Sequence, residues 1–273
     1  MAGFAVEDLF LKLAARSVPV GEILILFGGG GMLAFAALAR ARGDRVLHPA
    51  MLSRAILVRA CFEMAGRLFH TLALALVPLA LVSTLLQATP LVVVAGAATI
   101  FGERVGWRRW SAIAVGFLGV LIVLRPGTAA FEATALIAVL GMLGFAGRDL
   151  ATRAAPPVLS HLVLGVYGFA MMVPAGLLVL AVSGDAPVWP DGPAAAALGA
   201  AIVVGVAAYY ALTRAMRTGE VSVVTPFRYT RLVFGVGLAA MLLGERVDGA
   251  TILGSLLIVG SGLYTLWRSR RAG

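Results

Sequence analysis

The chain has 273 residues, 61% of them hydrophobic and 13% charged, with a formal net charge of +9. Its mean hydropathy is +0.99. A soluble globular domain runs roughly 45–50% apolar and about 25% charged, so this composition excludes a soluble enzyme, a disordered scaffold and a nucleic-acid-binding domain, and leaves a polytopic membrane protein.

About 20 apolar residues cross a bilayer core of about 30 Å. Ten such stretches are predicted in chain order: 2–14, 20–38, 56–76, 79–101, 107–124, 133–151, 160–182, 194–216, 221–243 and 250–267. Breaker residues separate several of them: Arg42-Gly43-Asp44, Arg125-Pro126-Gly127, Ala155-Pro156-Pro157, and the Gly-, Asp- and Pro-rich run from Ser183 to Pro193. The first stretch rises only about 20 Å. Either it does not cross fully or the start of the chain is trimmed. No cleavable signal peptide is visible, because Glu7, Asp8 and Lys12 stand where a positive segment followed by a clean apolar run would be needed. Cys61 is the single cysteine, so no internal disulfide forms and cysteine usage says nothing about compartment.

The positive charge is almost all arginine, with Lys12 the one lysine. With ten spans, both termini share a side with the loops after spans two, four, six and eight. That side carries Arg40, Arg42, Arg45, Arg54, Arg104, Arg108, Arg109, Arg153, Arg217, Arg268, Arg270 and Arg271; the other carries Arg16, Arg125 and Arg246, with Asp185 and Asp191. Cytoplasmic loops hold the excess of basic residues, which predicts both termini inside a bacterial-type inner membrane. Trp107, Trp110 and Trp267 fall near the predicted inner interface and Trp189 near the outer.

The word Gly102-Glu103-Arg104-Val105 recurs as Gly244-Glu245-Arg246-Val247. Each copy follows a long apolar span containing Thr-Pro (Thr89-Pro90; Thr225-Pro226) and precedes a glycine-containing span that ends in arginine. The chain therefore divides into 1–127 and 133–273, five spans each. An odd number of spans turns the second copy upside down, the arrangement by which many secondary transporters alternate a midplane site between two faces. The glutamate of each word is read as a helix-end group away from substrate.

These residues carry a resemblance. The stretch from Ala88 to Gly127, with Gly106-Trp107-Arg108-Arg109-Trp110 and Gly116-Phe117-Leu118-Gly119-Val120-Leu121, looks like the end of an EamA domain. Pro226-Phe227-Arg228-Tyr229-Thr230 to Gly262 looks like the end of a second. The chain resembles the drug/metabolite transporter superfamily over nearly its whole length. The resemblance implies an all-α protein of ten transmembrane helices in two inverted five-helix repeats around a central cavity. Members include amino-acid exporters of the YddG type, carriers of riboflavin or S-adenosylmethionine, and sugar-phosphate or nucleotide-sugar carriers.

Ionisable groups inside a membrane are costly and usually face a bundle interior or a wet cavity. Span three places Arg59, Glu63, Arg67 and His70 on one helical stripe. Glu63 can pair with either arginine at i±4; a cavity wall and a plain structural ion ladder are both open readings. His70 can bind substrate or titrate near neutral pH and has no acidic neighbour within one turn. In span four, Gln87 joins Thr84, Thr89 and Pro90, whose ring removes a backbone bond and can kink the helix. Pro174 and Pro226 offer the same choice between gate and static bend. Span eight offers Tyr209 and Tyr210, which diverge by about 100° so that one can face a site. Span nine offers Arg228, Tyr229 and Arg231, whose guanidiniums suit a carboxylate or phosphate, a partner carboxylate, or the interface. Arg148 and Asp149 lie near an end of span six and are read as interface or gate groups.

In span one, Asp8 and Lys12 stand at i,i+4 and can pair, leaving Glu7 without a local partner. Glu7, Asp8 and Glu63 are the candidate coupling carboxylates. Gly28 to Gly31, Ala112 with Gly116, and Gly141, Gly144 and Gly147 are read as close helix contacts. No catalytic residue, metal ligand or cofactor site is expected: Val259-Gly260-Ser261-Gly262 lacks the leading glycine of an intramembrane serine protease, and no paired His/Cys spacing exists. A channel lacks a charged ring or carbonyl filter. The expected partners are a small-molecule substrate and the bilayer, with no nucleic acid and a monomer sufficient. The function expected is alternating-access export of amino acids around a site walled by spans three, four, eight and nine. The alternative is a vitamin, nucleoside or nucleotide derivative, or drug-like solute.

Overall fold

The computed structural model describes residues 1–102, 106–126, 128, 132–153, 158–218 and 228–270. Among these residues, every regular element is helical. In chain order they are α1 (Ala2–Ala14), α2 (Val20–Ala41), a 3-10 turn (Pro49–Leu52), α3 (Arg54–Leu76), α4 (Leu79–Leu86), α5 (Thr89–Ile100), α6 (Trp107–Leu124), α7 (Ala135–Arg153), α8 (His161–Ala170), α9 (Met172–Ser183), α10 (Gly192–Thr218), α11 (Thr230–Leu242) and α12 (Gly249–Arg270). Helix is what an apolar chain must form in lipid, where each backbone polar group needs a partner inside its own segment.

Six helical runs are long and apolar enough to cross a membrane: Val20–Ala41, Leu79–Ile100, Ala135–Thr152, His161–Ser183, Gly192–Ala215 and Gly249–Arg268. Trp110–Leu124 and Thr230–Leu242 are apolar but shorter. The 23-residue α3 is long enough but carries Arg54, Arg59, Glu63 and Arg67. The chain is thus a multi-pass membrane protein.

Two expected spans are not single helices. The fourth breaks at Gln87–Ala88, between α4 and α5. Pro90 has no N–H to give the carbonyl of Leu86; the Thr89 hydroxyl donates to that carbonyl instead, at 2.6 Å. The freed carbonyl therefore has a partner within the protein. The seventh span breaks at Met171, three residues before Pro174. Pro226 lies outside the described residues.

Short polar side chains start several helices. Ser160 accepts from the Val163 N–H at 3.2 Å, Asp191 from Ala194 at 2.8 Å and Asp248 from Thr251 at 2.8 Å. Glu245 accepts from the N–H groups of Leu79 and Ala80, at 2.9 and 3.1 Å, and so closes the start of α4 from another part of the chain. This is the helix-end role expected of the second Gly-Glu-Arg-Val; Glu103 of the first lies outside the described residues.

The helices pack in pairs: α3 on α7, α1 on α10, α6 on α12, α2 on α8 and α9, and α4 on α11. Glycine sets the closest of these contacts. A Cβ on Gly144 would stand 2.4 Å from the Cα of Gly66, so the backbones of α3 and α7 nearly touch. The same glycine row places Gly141 against His70 and Gly147 against Phe62. That approach brings the charged stripe of α3 within reach of α7.

Candidate functional site

Glu63 stands at the centre of a charged cluster. Its side chain is 1% exposed and faces three guanidiniums: Arg59 at 3.3 Å, Arg148 at 3.3 Å and Arg67 at 3.6 Å. Arg59 also donates to the Tyr209 hydroxyl at 3.1 Å and to the Thr152 hydroxyl at 3.0 Å. Arg67 donates to Glu7 at 3.0 Å, which ties α3 to α1. Asp8, on the adjacent position of α1, meets His70 Nε2 at 2.9 Å and accepts from Arg231 of α11 at 2.5 Å. Arg148 also donates to Asp149 at 2.8 Å, and Asp149 accepts from Arg228 at 3.1 Å.

Two bonded groups, one through Glu7, Glu63 and Asp149 and one through Asp8, meet at the adjacent positions Glu7 and Asp8 of α1, and together the network draws on α1, α3, α7, α10 and the start of α11. Five guanidiniums (Arg59, Arg67, Arg148, Arg228 and Arg231) meet four carboxylates (Glu7, Asp8, Glu63 and Asp149), and His70 adds a titratable ring. With His70 neutral, the cluster keeps one positive charge in excess. Aromatic rings wall it. Arg148 and Arg67 lie 5.0 and 5.7 Å from the centre of Phe145, Arg67 lies 5.6 Å from Phe169, and Arg231 lies 5.4 Å from Phe4. Such placement stabilises guanidiniums removed from water.

Burial is graded across the network. Glu7, Asp8, Glu63 and His70 are sealed, whereas Arg148, Asp149, Arg228 and Arg231 keep 14–22% of their side-chain surface. The second group forms the less buried rim of the cluster. One oxygen of Glu7, Oε2, and the Nδ1 of His70 are buried without a hydrogen-bond partner.

One expectation about these residues needs correcting, and the others gain partners from outside their own helix. Asp8 does not pair with Lys12. It turns to His70 and Arg231, while Lys12 donates to the carbonyls of Leu74 and Val77 at 3.0 and 2.6 Å and faces Glu245 at 3.8 Å. Glu7 does have a partner, but it comes from α3 rather than from its own helix. His70 likewise has an acidic neighbour, Asp8, from a different helix. Arg148 and Asp149, read from sequence as end-of-span groups, are members of the network. Their signal was an adjacent opposite-charge pair in an apolar span rather than any spacing within one helix.

The remaining candidates divide. Tyr209 is buried in the cluster; Tyr210 diverges to Arg42, whose guanidinium donates to its hydroxyl at 2.9 Å. Tyr229 is buried with its hydroxyl unpaired, pressed against Gly262 of α12. Gln87, at the α4–α5 break, donates to the carbonyls of Arg228 and Tyr229 at 3.3 and 3.1 Å. It holds the backbone that carries Arg228. The charged cluster therefore draws on α1 and α7 as well as on the third, eighth and ninth spans, and the fourth span contributes through Gln87. Among the described residues, no group of three or more His, Cys, Asp or Glu has the geometry to hold a metal ion.

The comparisons agree with this architecture. Residues 1–125 and 133–267 each match the model of the EamA-like transporter family. The chain is 30% identical over 72% of its length to a riboflavin transporter of Rhizobium johnstonii, of which it covers 65%. It is 27% identical over 94% of its length to the pseudopaline exporter CntI of Pseudomonas aeruginosa, of which it covers 89%. It is 24% identical over 79% of its length to an S-adenosylmethionine uptake transporter of Rickettsia felis, covering 72% of it. A crystal structure 22% identical in sequence superposes with a TM-score of 0.67 over 97% of this chain and 96% of the other, which shows a shared fold. With two EamA matches that together span most of its length, this chain belongs to the EamA-like transporter family of the drug/metabolite transporter superfamily.

Proposed function

We propose that this chain is a secondary transporter that moves small zwitterionic metabolites, foremost amino acids, out of the cell by alternating access. The observation that carries the reading is the rim of the charged cluster, where Arg228 and Asp149 pair at 3.1 Å with both side chains 22% exposed. A zwitterion can enter such a pair by exchange. Its carboxylate replaces Asp149 on Arg228, its ammonium replaces Arg228 on Asp149, and no buried charge is left uncompensated. The excess guanidinium of the network favours the carboxylate end and disfavours a simple cation.

The proposed topology is ten spans in two inverted halves, about 1–127 and 133–273, with both termini in the cytoplasm of a bacterial-type inner membrane. The packing pairs support it. Exchanging the halves carries α3 on α7 into α10 on α1, and leaves the pairings of α6 with α12 and of α4 with α11 unchanged. A monomer suffices for this cycle. In this arrangement Glu7, Asp8, Glu63 and His70 are the coupling candidates, and the bends at Pro90 and Pro174 are the flexible points of the path.

The named relatives favour a second reading. They carry riboflavin, S-adenosylmethionine and pseudopaline, so another organic solute of the same general size is the alternative. The test is efflux of labelled amino acids from liposomes holding the purified protein, with and without an imposed proton gradient. Protein-dependent efflux that unlabelled amino acids compete away supports the proposal. Efflux that responds to the gradient in the wild type and not in His70→Gln assigns coupling to the Asp8–His70 pair. No efflux of any amino acid overturns the substrate and directs the screen to larger solutes.

A further inference from the structure

A second feature lies on the outside of the bundle. A cleft of about 430 Å³ runs between α2, α8 and α10. Leu38, Leu162, Ile202 and Val206 line its length, and Arg42 and Tyr210 stand at one end. It is separate from the charged cluster, since the adjacent Tyr210 and Tyr209 diverge by about 100° around α10, one to Arg42 and the other to Arg59. From Ile202 to Tyr210 the cleft follows eight residues of helix, roughly 12 Å. One leaflet of a bilayer has a hydrocarbon depth of about 15 Å, so the cleft matches a single acyl chain lying in one leaflet.

The polar end is built for an anion. The Arg42 guanidinium lies over the Tyr210 ring, 5.5 Å from its centre, and donates to its hydroxyl at 2.9 Å. Arg214, one turn further along α10, approaches the same hydroxyl. The His161 ring also packs on Tyr210, 5.4 Å between centres. Asp44, the carboxylate of the neighbouring loop, accepts from Ser160 at 2.6 Å. Two guanidiniums converging on a neutral hydroxyl leave positive charge at the mouth of an apolar slot. Basic pockets between membrane helices hold anionic lipid headgroups in this way.

We infer that this cleft is a binding site for one anionic phospholipid, its acyl chain along Leu38, Leu162 and Val206 and its phosphate at Arg42 and Arg214. The Tyr210 hydroxyl accepts from Arg42 and keeps its own proton to donate to a phosphate oxygen. A guanidinium offers the fork of N–H groups that phosphate recognition uses. The occupant is a lipid rather than free phosphate because the slot behind the arginines is apolar over its full length.

The test is native mass spectrometry of the purified full-length protein in mild detergent, supplied with phosphatidylglycerol or with phosphatidylcholine of the same chains. The expected result is a preference for phosphatidylglycerol of about fivefold per arginine. Arg42→Ala should remove one such factor, and Arg42→Ala with Arg214→Ala should equalise the two lipids. Val206→Trp should fill the slot and lower retention of both while leaving labelled-solute efflux intact. If it does not purify, Val203→Trp at the exposed edge of the same cleft serves. Equal retention of the two lipids by the wild type, a preference that survives the double arginine variant, or unchanged lipid in the tryptophan variant would each overturn the assignment.

Discussion

Replacing Glu63 by glutamine keeps the side-chain size and removes one charge from the centre of the network. Three guanidiniums then face a neutral amide, and five arginines face three carboxylates in place of four. Hydrogen bonds to charged groups contribute about 1.5–3 kcal/mol each and neutral ones about 0.5–1.5. The two bonded contacts, from Arg59 and Arg148 at 3.3 Å, therefore weaken by about 1 kcal/mol apiece. The amide NH2 must also point a donor at a donor. Removing one partner of a buried pair costs about 3–5 kcal/mol, so a net loss of about 3 kcal/mol is expected. In a chain of this size that lowers the midpoint of unfolding in detergent by roughly 6–12 °C, and efflux should fall with it. The informative control is Glu63→Gln combined with Arg148→Gln, which returns the cluster to a single excess positive charge. If the network is coupled as described, the double variant recovers part of the midpoint lost by the single one, with an interaction energy of about 1–3 kcal/mol. A midpoint within about 2 °C of wild type for Glu63→Gln, or strict additivity in the double variant, would refute a charge-coupled cluster.

Further outcomes follow from the packing. Glu245→Ala leaves the Leu79 and Ala80 N–H groups without their acceptor and Lys12 without its nearby carboxylate, and should lower stability by about 1–2 kcal/mol, read as a lower unfolding midpoint, with Glu245→Gln intermediate. Gly144→Ala sets a methyl against the Gly66 backbone and should destabilise by about 1–3 kcal/mol. Gly199→Ala, which meets nothing within 4 Å, should leave thermal unfolding and efflux unchanged. Tyr209→Phe removes the hydroxyl that accepts from Arg59 at 3.1 Å and should reduce efflux while costing about 1 kcal/mol or less in stability.

Much of the fold is legible in the sequence because hydrophobic length is a local property. The predicted first and fifth stretches coincide with α1 and α6. The breaks in the fourth and seventh stretches, at Gln87–Ala88 and Met171, each fall just before a proline already marked as a bend. The stripe from Arg59 to His70 was also readable, since helical spacing fixes which residues share a face. The cluster was not, because its decisive pairs join residues far apart in the chain: 60 positions for Glu7 and Arg67, 223 for Asp8 and Arg231. Local rules favour Asp8 with Lys12 at i,i+4, a contact worth a few tenths of a kcal/mol on an exposed helix. Burial reverses that choice, since a sealed carboxylate needs several donors and Lys12 lies at the helix end beside carbonyls that it satisfies. Arg148 and Asp149 read from sequence only as interface or gate groups for the same reason: adjacent residues on a helix do not show their long-range partners until α3 and α11 are placed beside them.

The energetics of the network bear on why it exists. Removing nine charged side chains from water carries a desolvation cost of several kcal/mol per ion, and well-packed apolar residues would usually hold helices together as firmly. A structural ladder would need only Glu63 and its neighbours on α3. The structure instead recruits α1, α7, α10 and α11, leaves its outermost pairs partly open, and keeps one guanidinium in excess. Those features fit the proposed exchange of partners with a solute. The rim pair Arg228–Asp149 makes that concrete. Asp149→Asn removes the carboxylate that a solute ammonium would take and leaves Arg228 for a carboxylate, so efflux of zwitterionic amino acids should drop while competition by simple monocarboxylates persists or strengthens. Equal loss of competition by both would show that Asp149 acts only to hold Arg228 in place, and would remove the ion-exchange reading of the rim.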